Sequence, residues 1–166
     1  MESHLNLLVV DDNPVDLVVF SRAANRTGLN VRLQTLTAGQ QAIDYLNAKG
    51  EYTDRGKFPW PDVIVLDLKM PELNGFDFLA WRKASALFLS IPVVILSGSN
   101  EPDDLKRIFE LGASKHIVKP TELQNWECVV RDIWDFATNG TAFLNRKPMG
   151  PKAGAKAVEK TMTYRR

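Results

Sequence analysis

Apolar residues along this chain come in short bursts separated by amphipathic stretches, and the two patterns alternate. Leu5-Asn6-Leu7-Leu8-Val9-Val10 reads as a strand, and Asp11-Asp12-Asn13-Pro14 follows at once. Pro14 suits the first turn of a helix, which Asn13 or Asp12 can cap. From Val15 to Gly28, Leu17, Phe20 and Ala24 form one stripe and Val15, Val18 and Val19 a second. A helix apolar on more than one side is deeply buried or meets a partner. Residues 31–36 alternate as a half-exposed edge strand does. A helix follows from Ala38 to Lys49, with Ala42, Ile43 and Leu46 inward and Gly50 closing it.

Val63-Ile64-Val65-Leu66 is rich in β-branched residues and reads as a strand buried on both faces. Asp67 stands at its end, Pro71 stops the strand, and Gly75 lets the chain turn into a helix. That helix is expected to run to Ser90, with Phe78, Leu79, Trp81 and Leu87 for packing. Pro92 to Leu96 is another buried strand. Pro102 to Leu111 is a helix whose first-turn acids suit its dipole, and Gly112 ends it. Lys115 to Val118 is a short fifth strand. Thr121 with Glu122 and Gln124 resembles a capping box and opens a last helix that reaches Thr138. Its inward stripe is Trp126, Val129, Val130, Ile133 and Ala137, with Leu123 and Trp134 on the margin.

Strands alternating with helices in this way predict an α/β fold: a doubly wound, five-stranded parallel sheet of the flavodoxin-like (βα)5 kind, strand order 2-1-3-4-5. The connection from Glu51 to Pro61 carries Tyr52, Phe58 and Trp60 and exceeds the usual length of about 2–6 residues. As a helix-to-strand connection it belongs at the end of the sheet opposite Asp67.

With 166 residues, one domain is expected over residues 1–140, and a basic Pro/Gly-containing tail over 141–166. From Asn145 to Arg166 there are seven Lys or Arg against Glu159 alone, a composition that suits a flexible, solubilising end. The whole chain carries a net charge of +1, which speaks against nucleic acid or a membrane as its partner. An apolar fraction of 45% and a charged fraction of 25% describe an ordinary soluble protein. It has neither an apolar run of about 18 residues nor a basic-then-apolar leader, so a cytoplasmic location is expected. Cys128 is the only cysteine, which excludes an intrachain disulfide and a cysteine-built metal site. Its place in a helical pattern suggests a small packing residue.

Chemistry concentrates at the strand ends. The first strand supplies Asp11 and Asp12, the third Asp67, the fourth Ser97 and the fifth Lys119. In the order 2-1-3-4-5, strands one and three meet at the topological switch point, where ligands bind. Three carboxylates gathered there repel one another by about 4 kcal/mol per pair at ~4 Å and an effective dielectric near 20. Such a cluster calls for a divalent cation, and oxygen-only ligands favour Mg2+, Mn2+ or Ca2+ over zinc. A metal-bound carboxylate facing a hydroxyl and an ammonium suits phosphoryl transfer, with Asp67 as nucleophile. Singly, each residue has a plainer reading: Asp11 and Asp12 as helix caps, Ser97 in a turn, Lys119 as a solvated strand end. Their coincidence on the correct strands favours the chemistry.

Val-Asp-Asp-Asn-Pro (10–14), Asp-Leu-Lys-Met-Pro-Glu-Leu-Asn-Gly (67–75), Leu-Ser-Gly (96–98) and Ile-Val-Lys-Pro (117–120) resemble the motifs of the receiver domain of two-component response regulators. The similarity covers about residues 5 to 138. It implies Asp67 as phosphoacceptor, Mg2+ or Mn2+ held by Asp12, Asp67 and the backbone carbonyl of Lys69, and Asp11 on a metal-bound water. Ser97 becomes the switch hydroxyl and Lys119 the contact to the phosphoryl group. The family's aromatic switch position is His116 here, which adds a pH dependence unless it is simply a half-exposed edge-strand residue. Lys69 and Ser99 are placed to tune how fast water removes the phosphoryl group.

The resemblance also implies a histidine kinase as phosphoryl donor and a partner protein, or a second copy, that reads the altered surface. With about 28 residues after the last helix, the expectation is a stand-alone receiver. The extended 51–61 loop and the tail are similar to those of stand-alone receivers that serve phytochrome-type histidine kinases. Two other functions compete. A haloacid-dehalogenase-like phosphatase also uses an aspartyl nucleophile with Mg2+, but wants a second Asp where Lys69 stands. A constitutive scaffold would keep the fold without phosphorylation.

Overall fold

The structure is a computed structural model, described here for residues 4–139. It holds a five-stranded parallel sheet in the order β2-β1-β3-β4-β5, as the alternation predicts. The strands are β1 (Leu5–Val10), β2 (Val31–Leu36), β3 (Val63–Leu66), β4 (Val93–Ser97) and β5 (Lys115–Val118). The helices are α1 (Pro14–Thr27), α2 (Gly39–Leu46), α3 (Gly75–Ala84), α4 (Pro102–Glu110) and α5 (Trp126–Thr138). The expected basic tail, 141–166, lies outside the described residues. No helix among the described residues is long and apolar enough to cross a membrane.

The sheet separates two cores, one on each face, which is why β1, β3 and β4 are apolar at nearly every position. On one face, Leu8, Ile64, Leu66 and Ile95 pack with Phe78 and Leu79 of α3, Ala42 and Leu46 of α2, and Ile108 of α4. On the other, Leu7, Val9, Val65 and Val94 pack with Leu17 and Phe20 of α1 and Trp126, Val130 and Ile133 of α5. The second apolar stripe of α1 divides: Val19 packs at the margin of this core, whereas Val15 and Val18 are exposed.

Helix ends follow local chemistry. Asn13 caps α1 by accepting from the Val15 amide at 3.0 Å, and Gly28 closes it in the left-handed region. Asn74 and Asp77 form a reciprocal capping box at the start of α3. Three boundaries differ from expectation. Helix α2 stops at Leu46 because Ala48 and Gly50 both take positive φ. Helix α3 stops at Ala84 and gives way to a 3-10 turn, Ala86–Phe88, which leaves Leu87 exposed and buries Phe88 instead. At the last helix, Gln124 donates to Glu122 rather than completing a capping box; a 3-10 turn, Leu123–Asn125, precedes α5. Cys128 is exposed on α5 and does not pack, because the inward stripe is filled by the flanking Trp126, Val129 and Val130.

The long connection before β3 is ordered by its aromatics. Tyr45, Tyr52 and Phe58 pack edge-on or tilted, and the Tyr45 hydroxyl donates to the Pro59 carbonyl at 2.7 Å. Burial of that phenol pushes its pKa up to about 12.

Candidate functional site

Strand pairing brings the acids together. Val10 of β1 lies opposite Leu66 of β3, and the ladder runs one step further, the Asp67 amide donating to the Val10 carbonyl at 2.9 Å. Asp11 and Asp67 therefore leave adjacent strands at the same level. The Asp11 amide is likewise held, by the Leu36 carbonyl of β2 at 3.0 Å. On the other side, the Lys119 amide donates to the Ser97 carbonyl at 3.0 Å and extends the β4–β5 pairing to the same end of the sheet.

Carboxylate oxygens of Asp11, Asp12 and Asp67 lie within 4.8 Å of one another. Asp11 and Asp67 are buried and Asp12 is exposed at the rim. The Lys119 ammonium reaches in from β5, 2.6 Å from Asp11, 2.9 Å from Asp16 and 3.6 Å from Asp67. An oxygen-only set of this size, anchored on rigid strand ends with one open side, fits a hard divalent cation.

The electrostatics agree with that fit. Burial is the main reason the Asp67 carboxyl is pushed up to about 6; Lys119 pulls it down, while Asp11 and Asp12 push it up. Burial also raises Asp11, against the hydrogen bonds from Lys119 and the Asn13 amide. For Lys119, burial acts downward, but hydrogen bonds to Asp11 and Asp16 and the charge of Asp67 outweigh it, so its pKa stands above the ordinary lysine value. One lysine thus faces more negative charge than it can neutralise.

Ser97 is buried at the end of β4, and its hydroxyl accepts from the Ser99 amide at 3.2 Å. Ser99 is buried too, and its own hydroxyl donates to Asp104 in the first turn of α4 at 2.9 Å. His116 is half-buried, with Nε2 3.2 Å from the Ser99 carbonyl, so the histidine touches the loop that carries Ser97. Lys69 is exposed beyond Asp67. Gly75 is tightly confined: a Cβ there would stand 2.6 Å from the Asp67 carbonyl oxygen and 2.8 Å from the Leu68 Cα. Asp16 is the participant that sequence reasoning missed. It lies in the first turn of α1, the helix that β1 leads into, and an acid at that position was the available signal.

The model of the response regulator receiver domain matches residues 7–131. This chain belongs to the response regulator receiver family. Among curated relatives it is 30% identical over 130 residues to the probable methanogenesis regulatory protein FilR2 of Methanothrix harundinacea, covering 78% of this chain and 81% of that one. Among solved structures it is similar to the phosphorylated cyanobacterial phytochrome response regulator RcpA, with 30% identity and a TM-score of 0.76, over 84% of this chain and 98% of RcpA. The Mn2+-bound response regulator Rcp1 is 29% identical with a TM-score of 0.70, over 80% of this chain and 93% of Rcp1. Receiver domains of this family are signalling switches that bind Mg2+ or Mn2+ at their acidic pocket.

Proposed function

We propose that this receiver is a phosphorylation switch in which Asp67 accepts a phosphoryl group from a histidine kinase in a Mg2+-dependent reaction. The observation that carries the reading is the gathering of Asp11, Asp12 and Asp67 within 4.8 Å, with the Lys119 ammonium beside them. Asp11, Asp12, Asp67 and the Lys69 backbone carbonyl would hold Mg2+ or Mn2+, directly or through water. Bound there, the cation would offset charge on the oxygens of the transferred group. A carboxylate oxygen of Asp67 attacks phosphorus; the new O–P bond forms as the P–N bond of the donor phosphohistidine breaks, and the released imidazole takes up a proton. Lys119 neutralises part of the added charge, and the Ser97 hydroxyl donates to a phosphoryl oxygen.

The signal then leaves through the β4–α4 loop. Ser97 moving toward the phosphoryl group draws on Ser99 and on its contact with His116, which biases the surface formed by α4, β5 and α5 between two states. A partner protein or a second copy of the chain reads that surface. Similarity to RcpA supports a phytochrome-type histidine kinase as donor. Lys69, exposed two positions beyond Asp67, is placed to tune hydrolysis, so Lys69→Ala should change the decay rate of the phosphorylated protein.

Incubation with Mg2+ and acetyl phosphate, read by intact-mass spectrometry, tests the proposal. A gain of one phosphoryl group that is lost in Asp67→Asn is the expected outcome. A wild-type protein that never gains it points to a constitutive scaffold, and rapid multiple turnover of phosphate esters points to a phosphatase.

A further inference from the structure

Asp16 has no part in the scheme above, yet it takes one of the two shortest contacts of the Lys119 ammonium. An ammonium carries three donors and no acceptor. Asp11 engages Lys119 at 2.6 Å and Asp16 at 2.9 Å, while Asp67 stays at 3.6 Å, beyond hydrogen-bonding length. The three carboxylates come from three separate elements: the end of β1, the first turn of α1 and the end of β3. All three meet a lysine whose side chain is only 16% exposed, and the Asp16 side chain is itself 22% exposed. Two donors are therefore tied to groups that do not react, and the third faces the residue that does.

We propose that Asp16 is a positioning residue for phosphoryl transfer. By holding one N–H of Lys119, it keeps the ammonium off the Asp67 carboxylate and leaves the third donor aimed at the space a phosphoryl group on Asp67 fills. Phosphoryl oxygens project beyond the carboxylate oxygen, toward that donor. Without Asp16, the four-carbon lysine stem regains its freedom, and the ammonium closes the 3.6 Å gap onto Asp67. A direct ion pair there stabilises the unphosphorylated state and must break before the donor can enter. Asp16 therefore favours the transition state through both orientation and ground-state geometry. The inference rests on Asp67 as phosphoacceptor.

Labelling by acetyl phosphate with saturating Mg2+ is the test, on wild type, Asp16→Ala, Asp16→Asn, Lys119→Ala and the Asp16→Ala/Lys119→Ala pair. Asp16→Ala should slow labelling about fivefold or more, given how steeply rates depend on the placement of catalytic groups. Asp16→Asn keeps an acceptor and should recover part of the loss. In the Lys119→Ala background Asp16→Ala should have no further effect, because it acts only through the lysine. Binding of beryllium fluoride, a phosphoryl mimic, followed by 19F NMR, should weaken in Asp16→Ala without any turnover. Equal labelling by Asp16→Ala and wild type, or independent effects in the pair, would overturn the inference. In either case the wild type still labels and the phosphoacceptor assignment stands; a wild type that never labels removes both.

Discussion

Asp67 ionises less readily inside the fold than in water. Burial, reinforced by Asp11 and Asp12 and opposed by Lys119, lifts its carboxyl from 3.8 to about 6. Its folded pKa lies above the unfolded one, so without metal the native state holds the proton more tightly than the unfolded chain does. The stability this group contributes is complete below about pH 3.8 and is lost as pH rises through about 6. At ~1.4 kcal/mol per unit, the loss approaches about 3 kcal/mol at neutral pH. Asp67→Asn removes it. The variant should therefore be more stable than wild type by up to about 3 kcal/mol at pH 7.5 without metal, and the gap should close near pH 4. Urea unfolding at the two pH values measures this, and an unchanged gap would show that the carboxyl does not titrate as described. Protons and metal compete for the same oxygens, so Mn2+ affinity should rise with pH up to about 6 and then level.

At the scale of elements, the site depends on how closely α3 follows β3. The Gly75 amide donates to the Leu68 carbonyl at 2.9 Å, and only a residue without a side chain fits against the Asp67 carbonyl. Gly75→Ala should cost about 1–3 kcal/mol, as overpacking does. It should also slow labelling, because the α3 terminus can retreat only by pulling the loop that carries Lys69. Denaturation midpoints together with labelling rates separate this from a neutral change. Asn74→Ala is the milder companion, costing about 1 kcal/mol through its lost cap with little change in labelling.

These same elements show what a sequence exposes. The strands were legible because burial on both faces leaves unbroken apolar runs such as Val63 to Leu66, and an Asp directly after each of two central strands marked the site. Boundaries set by long-range geometry were not legible. Leu87 lost its core position to Phe88, which packs between Trp81 and Trp60, the latter reached from the other side of β3 in sequence. The place of Asp16 in the first turn of α1 was legible, but its partner is a lysine 103 positions away, and that pairing is set by the fold rather than by local sequence.

Across the whole molecule, two buried or half-buried arginines hold the end of the sheet opposite the acids. The Arg82 guanidinium, from α3, donates to the carbonyls of Phe88, Leu89, Ile91 and Gly112, which ties α3, the approach to β4 and the turn before β5 into one unit. Its partners are all backbone carbonyls, so the fork geometry matters more than the charge. Arg82→Lys should lose at least about 2 kcal/mol of stability, since an ammonium cannot span four carbonyls and buried acceptors left unmade cost ~1–3 kcal/mol each.

Arg55 works in the long connection before β3. It donates to the carbonyls of Tyr45 and Leu46 at the end of α2 and to that of Phe58, while its guanidinium lies 3.8 Å from the centre of the Trp60 ring. Trp60 in turn packs on Phe88, so the connection is stitched to the α3–β4 corner. All of this lies before the strands begin, whereas Asp11, Asp67 and Lys119 lie after they end. If the sheet transmits only position and the switch elements lie at its carboxyl end, stability and phosphoryl transfer should separate here. Arg55→Ala should lower the unfolding free energy by about 1–3 kcal/mol, from the Leu46 and Phe58 carbonyls it leaves without their donor and a lost cation–π contact, while the Tyr45 carbonyl keeps the Ala48 amide. Its labelling rate at 25 °C should stay within twofold of wild type. A much larger change in that rate would mean that the aromatic connection biases the site from the far side of the sheet, and that the scaffold and the switch are one cooperative body.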